Sequence, residues 1–103
     1  MWAQMIVSRL KPGRDGDLAT LTAQLKAAER PGSGLVHATA TRDSKDPSRV
    51  IMFVVFESEE KARERENDSA RQDDLSDARA TMMEIFDGPP EFTDLTVVDD
   101  WSL

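Results

Sequence analysis

Val50-Ile51-Met52-Phe53-Val54-Val55-Phe56 is a run of seven consecutive apolar residues, and how it is buried decides the fold. β-Branched and aromatic side chains fill it, and a polar connection from Asp43 to Arg49, rich in Asp, Ser and Pro, precedes it, so it reads as a strand. Neighbouring side chains of a strand point to opposite faces. Val50, Met52, Val54 and Phe56 therefore line one face, and Ile51, Phe53 and Val55 line the other. Both faces are apolar.

Upstream, Leu35 to Arg42 alternates, with Thr39 and Thr41 on one face and Val36, Ala38 and Ala40 on the other. That is a second strand, and the short link to Val50 makes the two a hairpin. Further back, Trp2 to Leu10 with Met5, Ile6 and Val7 reads as strand, closed by Lys11-Pro12-Gly13. Leu18, Leu21, Leu25 and Ala28 then recur at helical spacing, with Asp15 or Asp17 available to cap the start and Pro31-Gly32 to end it. Downstream, Ser58 caps a helical region whose first half offers only Ala62 and Ala70 to a core, whereas Leu75, Ala78, Met82, Ile85 and Phe86 form a clear stripe. The contrast predicts two helical pieces with a break near Gln72 to Asp74. Gly88-Pro89-Pro90 stops the helix, and Phe92 to Val98 supplies a last strand.

The order β-α-β-β-α-β predicts a ferredoxin-like α+β domain over residues 1–103, an antiparallel sheet with its helices on one face. Two helices cover one face only, yet the Val50 to Phe56 strand is apolar on both. Each large apolar side chain left in water forgoes about 1.5–3 kcal/mol, so the second face predicts a homodimer. The competing arrangement lays loops or the Trp101–Leu103 tail over that face.

Composition narrows the chemistry. The chain has no cysteine, which removes disulfides, thiolate nucleophiles and iron–sulfur clusters and makes the cytoplasm the expected location. Twenty acidic against thirteen basic residues give a net charge of −7, and no basic patch is segregated, so neither nucleic acid nor an anionic membrane is an expected partner. No run reaches membrane-spanning length. The adjacent pairs Asp73-Asp74 and Asp99-Asp100 diverge on a helix or strand, so no metal is expected, and no phosphate-cradling glycine loop is present.

Four side chains are candidates for binding a small molecule. His37 is the only histidine and the only group that titrates near neutrality unperturbed; its alternative role is that of a hydrogen-bonded surface or interface residue. Gln4 and Ser8 share one face of the first strand and are polar where a buried strand is ordinarily apolar; neighbouring backbone or water would satisfy them equally well. Arg65, with Arg63, could turn inward to meet an anion because few apolar residues compete for that helix face, or it could belong to a solvated, salt-bridged surface.

Three strings resemble the framework of the antibiotic-biosynthesis monooxygenase-like domains of the dimeric α+β barrel superfamily. They are Lys11-Pro12-Gly13 after the first strand, Pro31-Gly32 through Gly34-Leu35 before the second, and Val54-Val55-Phe56-Glu57-Ser58-Glu59-Glu60 at the strand-to-helix junction. The resemblance implies sheet-to-sheet dimers holding a small aromatic ligand between sheet and helices, and oxidation of a polyketide- or quinol-like substrate by molecular oxygen without metal or flavin. It does not extend to the haem-degrading branch, which uses an Asn in the first strand, a Trp in the second helix and a later His. Here Ser8 and a position near Arg65 fall at the first two sites, and no histidine follows His37. No cofactor and no catalytic residue is assigned. Two functions stay open, a cofactor-independent monooxygenase and a non-catalytic homodimeric small-molecule-binding protein.

Overall fold

A computed structural model describes residues Met1–Leu103. Four strands, β1 (Trp2–Arg9), β2 (Leu35–Arg42), β3 (Arg49–Phe56) and β4 (Glu91–Thr96), form one sheet in the order β2-β3-β1-β4. Every pairing is antiparallel. The doubly apolar strand, β3, is thus an inner strand, flanked by β2 and β1.

Register fixes the faces. Trp2 pairs with Phe56, Gln4 with Val54, Ile6 with Met52 and Ser8 with Val50. On the other side of β1, Gln4 meets Asp94 and Ile6 meets Phe92. These residues share the face that the helices cover, because Val50 packs with Leu21, Ala78 and Ile85 while Trp2, Val54 and Phe56 pack with Ala62. Ala3, Met5, Val7, Ile51, Phe53 and Val55 belong to the opposite face. No helix lies there, and Phe53 is 40% exposed.

The helical layer has two parts. Leu18–Ala27 (α1) and Ser76–Ile85 (α4) seal against the sheet through Leu10, Leu21, Val50, Ala78 and Ile85, bordered by Leu18, Leu25, Leu75, Met82 and Phe86. A 3-10 turn, Asp15–Asp17, leads into α1; Asp17 is the N-cap residue, its side chain makes no capping bond, and its carboxylate pairs with Arg14 at 2.8 Å. The other part comprises Glu59–Glu66 (α2) and Ser69–Asp74 (α3), and α2 buries only Ala62.

The expected break near Gln72 to Asp74 falls at Leu75, and a second, unexpected one at Asn67-Asp68 makes three helical pieces of two. The additional break has a local cause: the Asp68 side chain accepts from the Ala70 backbone N–H at 3.0 Å and starts a new helix. Leu75 both ends α3 and starts α4. The last strand runs from Glu91 to Thr96, ending two residues earlier than expected, where its pairing with β1 stops at Trp2 and Thr96.

Gly34 positions α2. Its φ is +84°, and a Cβ there would sit 2.5 Å from the Lys61 Cβ, so only glycine allows the helix to approach this closely.

Candidate functional site

Between the two parts of the helical layer, the helix-side face of β1 and β4 carries Gln4, Ile6, Ser8, Phe92 and Asp94. Phe92 is 60% exposed, so this strip of sheet is not sealed by helix. Gln4 donates through Nε2 to Asp94 Oδ1 at 3.0 Å, which answers the polar side chain expected to orient a ligand with a cross-strand partner. The other Asp94 oxygen accepts from Arg63 at 3.1 Å. Arg63 reaches it from α2, bonding Glu59 at 3.3 Å and Glu66 at 3.2 Å on the way, and lies 5.1 Å over the Trp2 ring.

The electrostatics of that arginine follow from its neighbours. Partial withdrawal from water works against its charge, but the hydrogen bond and charge of Glu66, with Asp94 and Glu59, outweigh this and hold its proton more firmly than in a free arginine. A strip with an aromatic ring at one end, a guanidinium clamp above it and a carboxamide–carboxylate pair on its floor can bind an aromatic molecule bearing one polar group.

Ser8 lies on the same face as Gln4 but toward the far end of β1, where it lines a cleft of about 270 Å³ with Arg49, Asp87 and Glu91. Arg65 turns inward and is not part of a solvated surface. Its side chain is 14% exposed, its guanidinium lies 5.2 Å over Phe56, and it pairs with Glu29. It borders a different cleft, between the α1–β2 connection and α2–α3.

Gln4 and Ser8 share one face of β1, Arg65 borders a separate cleft, and His37 joins none of them. It pairs with Val55 across β2 and β3 and so lies on the open face, exposed, with its Nε2 2.8 Å from the Thr39 hydroxyl. A bulge between Leu35 and His37 fixes this placement. The expected position between sheet and helices is corrected accordingly. Asp94 is the residue that sequence reasoning missed, and it gives no signal until the β1–β4 register places it beside Gln4; Arg63, considered there only beside Arg65 as an anion contact, meets this carboxylate.

No protein-family model matches the sequence, and no curated protein matches it. Solved structures do. A candidate antibiotic biosynthesis monooxygenase from Chloroflexus aurantiacus J-10-fl is 20% identical with a TM-score of 0.69, over 98% of this chain and 96% of that one. A second, from Bordetella bronchiseptica, is 23% identical with a TM-score of 0.73, over 94% and 97%. A mutant of MhuD with two manganese protoporphyrin IX molecules per active site is 18% identical with a TM-score of 0.80, over 99% of both chains. In the present chain the lone imidazole sits on the open face, away from the helix-side strip. At such identities the likeness is one of fold, and the chain has the ferredoxin-like α+β fold of the antibiotic biosynthesis monooxygenase-like structures.

Proposed function

We propose that residues 1–103 act as one domain in a homodimer joined through the open sheet face, and that the dimer is a monooxygenase of the antibiotic-biosynthesis type. Its substrate is a small aromatic or quinol-like molecule held on the strip between α2 and α4. The observation that carries this reading is the likeness over nearly the full length of both chains to structures bearing that name. The open face supports pairing. Met5, Val7, Ile51, Phe53 and Val55 have no helix over them; Phe53 is 40% exposed and the other four are half-buried, and Trp101 of the C-terminal tail is itself 78% exposed. Contiguous apolar surface of that kind marks an interface.

On the strip, the exposed Phe92 ring offers an aromatic wall, Gln4 and Asp94 fix a phenolic group, and Arg63, stacked over the buried Trp2, closes one end. Ser8 extends the strip at one end, and Arg65, stacked on Phe56, holds α2 in place from the other side. Without a cofactor, an electron-rich ring supplies the electrons for oxygen reduction, so the protein's share of the work is positioning and desolvation. The setting is the cytoplasm; no helix is long and apolar enough to cross a membrane.

One observation favours a second reading, a homodimer that binds such molecules without turnover. His37, the lone imidazole, faces away from Gln4 and Ser8. Oxygen-electrode assays with hydroquinones and polyketide-like phenols, run beside fluorescence titration, separate the two. Oxygen uptake lost in Gln4→Ala supports the monooxygenase; saturable binding without uptake supports the binding protein. Light scattering tests the pairing: Ile51→Asp is expected to give a monomer, and a wild-type monomer at micromolar concentration refutes the dimer.

A further inference from the structure

Behind α2, on the side away from the strip, a cleft of about 230 Å³ opens between residues 28–33 and α2–α3. Arg30, Lys61, Arg65 and Arg71 line it with Glu64 and Asp68. Two of the cations are largely buried, Arg65 with 14% and Arg71 with 11% of the side chain exposed.

Both buried guanidiniums share a single carboxylate. Arg65 pairs with Glu29 Oε1, and Arg71 reaches the same oxygen at 3.3 Å while also donating to the Ala28 carbonyl at 3.3 Å. Glu29 lies behind them and does not line the cleft. Two positive charges against one negative leave one positive charge without a counter-ion in a partly desolvated place. Burial, and then repulsion from Arg65, accordingly pull the Arg71 proton affinity below that of a free arginine, with Arg79 adding to the effect. The Arg65 Nε is buried and makes no hydrogen bond. On the rim, Arg30 is engaged by Asp74 at 2.6 Å, whereas Lys61 has no ion-pair partner and stands over the opening.

We propose that this cleft is a binding site for the carboxylate group of a small organic acid, bridged by the Arg65 and Arg71 guanidiniums and approached past Lys61. The site is distinct from the strip between α2 and α4. The buried Arg65–Arg71–Glu29 group carries one surplus positive charge, which matches a monoanion, and guanidinium forks fit the two oxygens of a carboxylate. Glu64 and Asp68, also in the lining, repel a phosphate dianion more strongly than a monoanion. The volume is below the range of drug-sized pockets, which restricts the ligand to a small acid.

Benzoate is the probe, benzamide its neutral analogue and inorganic phosphate the competing anion, each titrated into the full-length protein at constant ionic strength and followed by amide NMR. Saturable shifts at Gly32, Ser33, Lys61 and Asp68 are expected with benzoate only. Arg71→Lys, which keeps the charge but loses the fork, is expected to weaken binding about ten-fold. Exposed Lys61→Gln, which leaves the buried network intact, is expected to weaken it about two- to three-fold. The assignment is overturned if benzamide or phosphate binds as well as benzoate, if the shifts fall elsewhere or are absent, or if Lys61→Gln binds like the wild type.

Discussion

The two parts of the helical layer rest on the same sheet by different physics. Under α1 and α4, five buried apolar residues make a continuous seal, and Ile85 and Ala78 are wholly inaccessible. Under α2, one alanine touches the sheet core, and arginines laid over Trp2 and Phe56 complete the contact. A cation stacked on a ring is worth about 0.5–2 kcal/mol, while burial of one large apolar side chain is worth about 1.5–3 kcal/mol. The arginine-held half is consequently the one that opens at low cost, and both proposed sites border it. Ligand-binding segments are drawn from the less stable parts of a fold.

The largest effect that tests this contrast is Ile85→Ala. It leaves a cavity in the sealed half and is expected to lower unfolding free energy by about 2–5 kcal/mol, measured by urea denaturation. A loss no greater than that of a surface substitution would erase the difference between the halves. A smaller and more local effect is expected of Arg63→Ala, which removes the clamp on Trp2 and Asp94. Amide hydrogen exchange should quicken across α2 and stay unchanged in α4; equal quickening in both would make the layer one cooperative unit.

The smallest effect lies outside both halves, in the β2–β3 connection, and serves as their control. The Ser48 hydroxyl donates to Asp46 at 2.6 Å and, against partial withdrawal from water, holds the Asp46 carboxyl below its ordinary value with help from Arg9. A depressed carboxyl stabilises the fold above its unfolded pKa, and that contribution is lost as pH falls through the folded value. Melting temperature against pH should therefore be slightly lower for Asp46→Asn than for the wild type near neutrality, the two curves converging in acid. Parallel curves would show that Asp46 adds nothing pH-dependent.

The layout was legible because the patterns that encode it are local. Alternation in Leu35 to Arg42, the doubly apolar Val50 to Phe56 and the stripe ending at Ile85 and Phe86 each reflect burial on a definite face. Helix breaks were less legible, since Asn67-Asp68-Ser69 is a capping signal whose force depends on what the following turn can bury. The strip's polar pair was half legible. Gln4 stood out on β1, but Asp94 became its partner only through a register between residues ninety apart in sequence. His37 alternates with Thr39 and Thr41 and so shares their face; which face the helices take is a long-range fact that the alternation does not carry. Arg65 was legible as a candidate but not in its surroundings, because Glu29 and Arg71 approach it from other segments.

Gly34 has a consequence for how this fold can vary. The stand-off between α2 and the chain entering β2 is set where one methyl group is missing, so a side chain introduced at that position would have to push the Lys61 stem away and also bear a left-handed backbone. Pocket depth along α2 is therefore adjustable from a single locus outside the ligand-contacting set, acting through the stem of Lys61.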